Sequence, residues 1–154
     1  MKNLYLTNRF FLFLGAIVAF FAVSFFVPAF FLLAQLSLVV FLSFVGYDIF
    51  QLFRRGVRVR VRRRLPKVMS LGDDNNIHLD LHNKSGMALK VSIIDELPFQ
   101  FQKRDFLEKI KLDPREKNRL TYPVHPVKRG EYHFGAINLY LSSRVGLIEK
   151  RYSH

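Results

Sequence analysis

The sequence predicts a membrane-anchored all-β protein: an N-terminal two-helix transmembrane hairpin followed by an immunoglobulin-like antiparallel β-sandwich. Three observations carry this. No charged residue lies between Arg9 and Asp48, and all but Phe99, Phe101, Phe106 and Phe134 of the 17 phenylalanines lie between Phe10 and Phe53. From Val57 the apolar pattern changes to a period of two. Short alternating runs separated by Gly, Asn, Asp and Pro clusters then recur to the end of the 154 residues.

Residues 1–53 read as the hairpin, with spans at about 10–27 and 29–53. Phe10 to Val27 is apolar apart from Ser24, which as a helix measures roughly 27 Å, close to the bilayer core. A straight helix from Phe10 to Phe53 would be roughly 66 Å, twice that thickness. The chain must therefore turn, and Val27-Pro28-Ala29 is the breaker in the right place. A cleaved secretory leader is the competing reading. It is disfavoured because no small-residue cleavage site precedes a polar segment and a second apolar span follows at once. Gly15, Ala16, Ser24, Ala34, Ser37 and Gly46 are expected to let the helices approach, and Gln35 to bond across the pair rather than to line a transport path.

Residues 54–67 read as a basic juxtamembrane segment and first strand. Arg54, Arg55, Arg58, Arg60, Arg62, Arg63, Arg64 and Lys67 follow the second span with no acid among them, and Lys2 and Arg9 precede the first. The positive-inside rule places both termini in the cytoplasm, with Tyr5 and Tyr47 at the inner interface. Those eight cations are expected to contact anionic lipid headgroups, at about 1 kcal/mol each. The alternatives are pairing with acids across a sheet and nucleic-acid binding. The second is disfavoured because valines, not stacking aromatics, alternate with the arginines.

Residues 68–154 complete a cytoplasmic β-sandwich. Val57, Val59 and Val61 alternate with Arg58, Arg60 and Arg62, giving an apolar and a cationic face. Ile77, Leu79 and Leu81 alternate with His78, Asp80 and His82, and Leu89, Val91 and Ile93 continue the pattern. Further strands are expected near 106–112, 119–124, 132–141 and 146–151. About seven short strands with frequent turns suit a sandwich of immunoglobulin size.

The run Arg129-Gly130-Glu131-Tyr132-His133-Phe134-Gly135, the later Gly146-Leu147, the earlier Leu97-Pro98 and the turn Asn83-Lys84-Ser85 resemble a family catalogued as domain of unknown function 58. The order of parts resembles it too. The resemblance implies the N-terminal half of a larger protein that continues into a von Willebrand factor A-like domain and associates with MoxR-type AAA+ ATPases. It also implies a bacterial inner membrane location. Ser143-Arg144-Val145 stands where many members carry Asp-Pro-Phe. The motif residues Leu97, Pro98, Arg129, Gly130, Tyr132, Phe134, Gly135, Gly146 and Leu147 are assigned structural roles. Gly130 permits a turn, Tyr132 and Phe134 share a strand face, and Gly135 allows a kink.

Chemistry is sparse. With no cysteine there is no thiol nucleophile or thiolate ligand. His78 and His82 are about 13 Å apart along one strand face, too far to share a metal. Ser142 and Ser143 lack a nucleophile-elbow sequence. The expectation is no enzyme activity, no cofactor and no nucleic acid. The chain reads as a non-catalytic assembly or docking platform; the alternative is a small regulatory or transport subunit whose hairpin packs into a larger membrane complex.

Overall fold

The structure, a computed structural model, describes residues 4–54, 56–101 and 106–153. Lys2 and Arg55 fall outside the described residues. The chain forms two compact units: Met1–Arg54 with Ser142–Lys150, and Arg55–Leu141 with Arg151–His154.

The first unit holds strand β1 (Leu4–Leu6), helix α1 (Asn8–Phe26), a 3-10 turn (Pro28–Phe30) and helix α2 (Phe31–Phe53). Both helical segments are long and apolar enough to cross a membrane. Val27 is extended and Pro28 opens the following turn, because proline disfavours a helical residue before it and supplies a preset φ after it. Along α2, Ala34, Leu38, Phe41, Val45, Asp48 and Leu52 are covered positions three and four residues apart, flanked by the half-buried Ser37, Gln51 and Phe53. That spacing is one seam of a helix pair. On α1 the matching seam runs through Phe10, Leu14, Ile17, Phe21 and Ser24. Phe10 meets Phe41 at 5.3 Å and Phe21 meets Phe31 at 6.2 Å between ring centroids. Ser24 and Ala34 are buried, whereas Gly15, Ala16 and Gly46 are exposed and do not mediate the approach. Gln35 is exposed on the outside of the pair, not directed across it.

β1 was not legible in the pattern. It pairs antiparallel with the first half of β8 (Ile148–Ser153), placing Leu4 opposite Lys150, Tyr5 opposite Glu149 and Leu6 opposite Ile148.

The second unit is built from β2 (Val59–Arg64), β3 (Asn75–Asn83), β4 (Leu89–Asp95), β5 (Leu107–Leu112), β6 (Lys117–Val124) and β7 (Ile137–Ser142). One antiparallel sheet has the order β2-β3-β6. In the other, β4 lies between β7 and the antiparallel β5. Alternate residues point inward, and Val59, Val61, Ile77, Leu79, Leu81, Leu89, Val91, Ile93 and Leu139 form the buried core. Fully burying such a side chain is worth about 1.5–3 kcal/mol.

Asn83 is fully buried at the end of β3. Its Nδ2 donates to the carbonyls of Met87 (2.8 Å) and Asp113 (2.9 Å), and its Oδ1 accepts from Ser85 N (3.0 Å) and Ser85 Oγ (2.6 Å). One amide thus clamps the β3–β4 and β5–β6 turns. Four partners for one side chain leave it fully satisfied, which is what lets a polar group sit in the core.

The strand expected over 132–141 begins only at Ile137. Before it, Gly130 has φ +143, and Gly135 lies against the end of β4, donating its N–H to Glu96 O at 2.9 Å. A Cβ on Gly135 would stand 2.7 Å from the Glu96 Cβ. The glycine is required by close approach, not by a kink within a strand.

Candidate functional site

The basic run divides by strand period. Val57, Val59 and Val61 are buried, and Arg58, Arg60 and Arg62 are exposed. Arg63 falls in phase with the valines and turns inward, so it is not a headgroup contact. Its guanidinium pairs with Asp95, with side-chain exposures of 14% and 0%. It also donates to Gly135 O at 3.0 Å and lies 5.1 Å from the Phe134 ring centroid. Asp95 accepts a further hydrogen bond from Tyr122 Oη at 2.5 Å. Burial, then the bond to Asp95, push the Tyr122 hydroxyl well above its ordinary range. Arg64 points outward but pairs with Asp80 at 2.5 Å. Arg54 and Lys67 are exposed.

The register of β2, β3 and β6 extends the cationic strand into a cationic sheet face. Arg60 stands opposite His82, which stands opposite Lys117; Arg62 opposite Asp80, opposite Arg119; Arg64 opposite His78, opposite Thr121. Asp80 is the one acid in these three rows. Arg119 binds it at 2.7 Å. That hydrogen bond, seconded by Arg64, outweighs partial burial and holds the Asp80 carboxyl below the usual carboxylate range. His78 Nδ1 lies 2.9 Å from Thr121 Oγ1. The face carries a shallow groove of about 470 Å³ lined by Arg60, Arg62, Arg64, His82, Lys117 and Arg119, among others. Lys117 and Arg119 could not be joined to the arginine strand by local pattern, because β3–β6 pairing spans some forty residues.

The remaining motif residues take defined places. Phe101 stacks on Tyr132 at 4.7 Å and meets Phe134 at 5.9 Å. The two aromatics therefore share a neighbour, but in an irregular segment, not on a strand. Tyr132 Oη donates to Lys128 O at 2.6 Å. Leu97 is half-buried and Pro98 buried. Arg129, Gly130, Tyr132 and Phe134 line an open groove of about 550 Å³ whose other wall includes Leu65 and Val68.

In the first unit, Gly146 and Leu147 are held by both helices. Thr7 Oγ1 lies 2.8 Å from Gly146 O and 3.0 Å from Leu147 O, and Thr7 N donates to Leu147 O at 3.1 Å. Gly146 has φ +71. Asp48, with no exposed surface, accepts from the Ser143 hydroxyl and from the backbone N–H groups of Leu147 (2.9 Å) and Ile148 (3.1 Å). Ser143 Oγ in turn accepts from Val145 N at 3.1 Å. Sequence reasoning missed this site. The available signal was that Asp48 is the lone acid of the apolar stretch and falls on the covered seam of α2.

No group of three or more His, Asp or Glu residues among the described residues could hold a metal ion. His125 Nδ1 is 3.3 Å from Asp74 and His133 Nε2 is 3.6 Å from Glu131, both at exposed positions.

No protein-family model and no curated protein matches the chain. Among solved structures, it is similar to PapD-like domain 7, an ASH/PapD-like domain, of human CEP192, with TM-score 0.45, 12% identity, and coverage of 64% of this chain and 82% of that one. It is also similar to the CARDB domain of a Pyrococcus furiosus protein in complex with di-metal ions, with TM-score 0.42, 16% identity, and coverage of 64% and 89%.

Proposed function

We propose that this chain is a non-catalytic membrane-anchored platform: the helix pair inserts in a bacterial inner membrane with both termini cytoplasmic, and the β-domain docks partners. One observation carries the anchor reading. The chain before α1 and the last turns of α2 are both tied to Ser142–Lys150, through β1, Thr7 and Asp48. Both polar ends of an apolar pair thus meet one segment, as a hairpin inserted from one side requires. For docking, the support is the groove between Leu65, Val68 and Leu71 on one side and Lys128 and Arg129 on the other. Val68 is 84% exposed there, an apolar surface of the kind that marks interaction sites. By resemblance the partner is a MoxR-type AAA+ ATPase, and the chain is part of a larger protein with a von Willebrand factor A-like domain.

The cysteine-free sequence makes the topology test clean. Single-cysteine variants Ala29→Cys and Ser153→Cys are labelled with an impermeant maleimide in intact cells. Ala29→Cys should react and Ser153→Cys should react only after lysis. Reaction of Ser153→Cys in intact cells refutes the orientation. For docking, Val68→Asp should abolish co-purification with the MoxR-type ATPase; unchanged recovery removes the groove from the reading.

A second reading, a subunit packed by its hairpin into a larger membrane complex, is favoured by Gln35. It is exposed on α2 together with Gly46. Eleven residues apart, the two lie within about 20° on the helix surface. A polar amide on the lipid side is costly unless a neighbouring helix satisfies it.

A further inference from the structure

We propose that the outward face of the β2-β3-β6 sheet binds the phosphate groups of anionic phospholipids, with Arg60, Arg62 and Lys117 as its principal contacts. This rests on the membrane-anchor reading and names the ligand of a surface broader than the arginine run alone.

Charge on this face favours an anionic partner. The positions that alternate outward are Arg58, Arg60, Arg62 and Arg64 on and before β2, then Asn76, His78, Asp80 and His82 on β3, then Lys117, Arg119, Thr121 and Pro123 on β6. Six are Lys or Arg and one is an acid. Asp80 occupies Arg64 and Arg119. Among the described residues, Arg58, Arg60, Arg62 and Lys117 have no carboxylate within ion-pair distance. Four cations without counter-charges on one sheet face repel one another, and an anionic surface relieves that repulsion.

Shape and composition narrow the class of anion. The groove is shallow and open, and its Lys and Arg residues lie about 9.6 Å apart across the sheet, with β3 between β2 and β6, and about 6.8 Å apart along a strand. That geometry suits several separate phosphates better than one enclosed ligand. None of the twelve outward positions is Phe, Tyr or Trp, so the stacking platforms that accompany single-stranded nucleic acid are missing from this face. Covalent connection supplies the last element. α2 ends at Phe53 and β2 begins at Val59, so the connecting residues span at most about 20 Å. A face on so short a tether meets an adjacent leaflet at high effective concentration. Each Lys or Arg at such a surface then contributes about a fivefold gain in occupancy.

The test uses the full chain in nanodiscs, with His82→Cys as a reporter between Arg60 and Lys117, and Lys109→Cys on the other sheet as the control. Flotation of the chain with the discs comes first: a chain that does not co-float refutes the anchor reading itself. In phosphatidylglycerol discs at low salt, His82→Cys should react with a soluble maleimide about 25-fold more slowly than in phosphatidylcholine discs, the fold-change expected from two such contacts. The difference should vanish at 1 M salt, where screening is nearly complete within about 3 Å, and in the Arg60→Gln/Arg62→Gln/Lys117→Gln variant. Lys109→Cys should react alike in both discs. Equal His82→Cys rates in the two discs overturn the proposal. Protection by added glycerol phosphate in phosphatidylcholine discs, without protection by phosphatidylglycerol, would assign the face to soluble phosphates. Protection by poly-glutamate alone would assign it to an acidic protein. Either result also overturns the lipid assignment.

Discussion

Each unit withdraws one carboxylate from water, and the two solve the problem differently. Asp95, in the sheet unit, faces the guanidinium of Arg63 and the hydroxyl of Tyr122. Asp48, in the helix unit, is met by one serine hydroxyl and two backbone N–H groups. No Lys or Arg among the described residues pairs with it. The first site neutralises its charge; the second spreads it over dipoles. A buried ion pair can be exchanged for apolar residues with little net cost, because attraction and desolvation nearly cancel. A carboxylate bound by backbone groups has no such exchange, because the N–H groups remain whatever side chain replaces the acid.

The contrast breaks first at Asp95. Asp95→Ala strands the Arg63 guanidinium and should cost about 3–5 kcal/mol. The triple replacement Arg63→Met/Asp95→Leu/Tyr122→Phe, which also removes the hydroxyl that Asp95 accepts from, should recover most of that loss in a denaturant titration of the full chain in detergent. A triple variant no more stable than Asp95→Ala would contradict the ion-pair account.

Asp48→Ala comes next. It leaves a hydroxyl and two N–H groups unpaired and should cost about 3 kcal/mol, with Asp48→Asn losing roughly half of that. No apolar partner substitution should rescue it. In a double-mutant cycle, Asp48→Ala and Ser143→Ala should deviate from additivity by about 1 kcal/mol or more; strict additivity would show that the two groups act independently.

Tyr122→Phe probes the Asp95 site through pH. The folded-state pKa of Tyr122 is raised, so the native state holds that proton more tightly than the unfolded chain does. The associated stability is intact below the unfolded pKa of about 10 and is lost as pH rises beyond it. The variant should lose about 1.5 kcal/mol at neutral pH and show a flatter alkaline limb in melts between pH 9 and 11. An alkaline limb identical to that of the wild type would place the titration elsewhere.

The smallest effect belongs to Asp80→Asn. The Asp80 carboxyl is depressed by Arg119 and then Arg64. Its contribution is therefore present above the unfolded pKa near 4 and fades as pH falls through the folded value. Being solvent-facing, it should barely move the melt. The variant should instead slow His82→Cys labelling further in anionic discs by freeing two arginines; faster labelling would contradict the charge argument.

Local periodicity made much of this fold legible. The valine–arginine alternation gave β2 and its two faces, and the proline at 28 gave the helix break. The same alternation, followed two residues further, places Arg63 on the valine side, although treating the basic run as one chemical unit hides it. Asp48 lies on the α2 seam, but its partners are about a hundred residues away. Lys117 joins Arg60 only through a sheet register set by distant pairing. The aromatic run at Tyr132 and Phe134 reads as strand, yet Gly130 and Gly135 leave it irregular until Ile137, because close approach to Glu96 replaces ladder pairing there.

The Asp48 clasp also imposes an order on biosynthesis. Its last donor, the Ile148 N–H, is 100 residues downstream. At a synthesis rate of about 5–20 residues per second, roughly 5–20 s separate the appearance of the acid from that of its final partner. During that interval the carboxylate lacks the donors that hold it in the folded chain. Nascent chains stalled before Ser143 should therefore present a helix pair whose α2 terminus is still unclasped, a folding intermediate defined by the timing of translation.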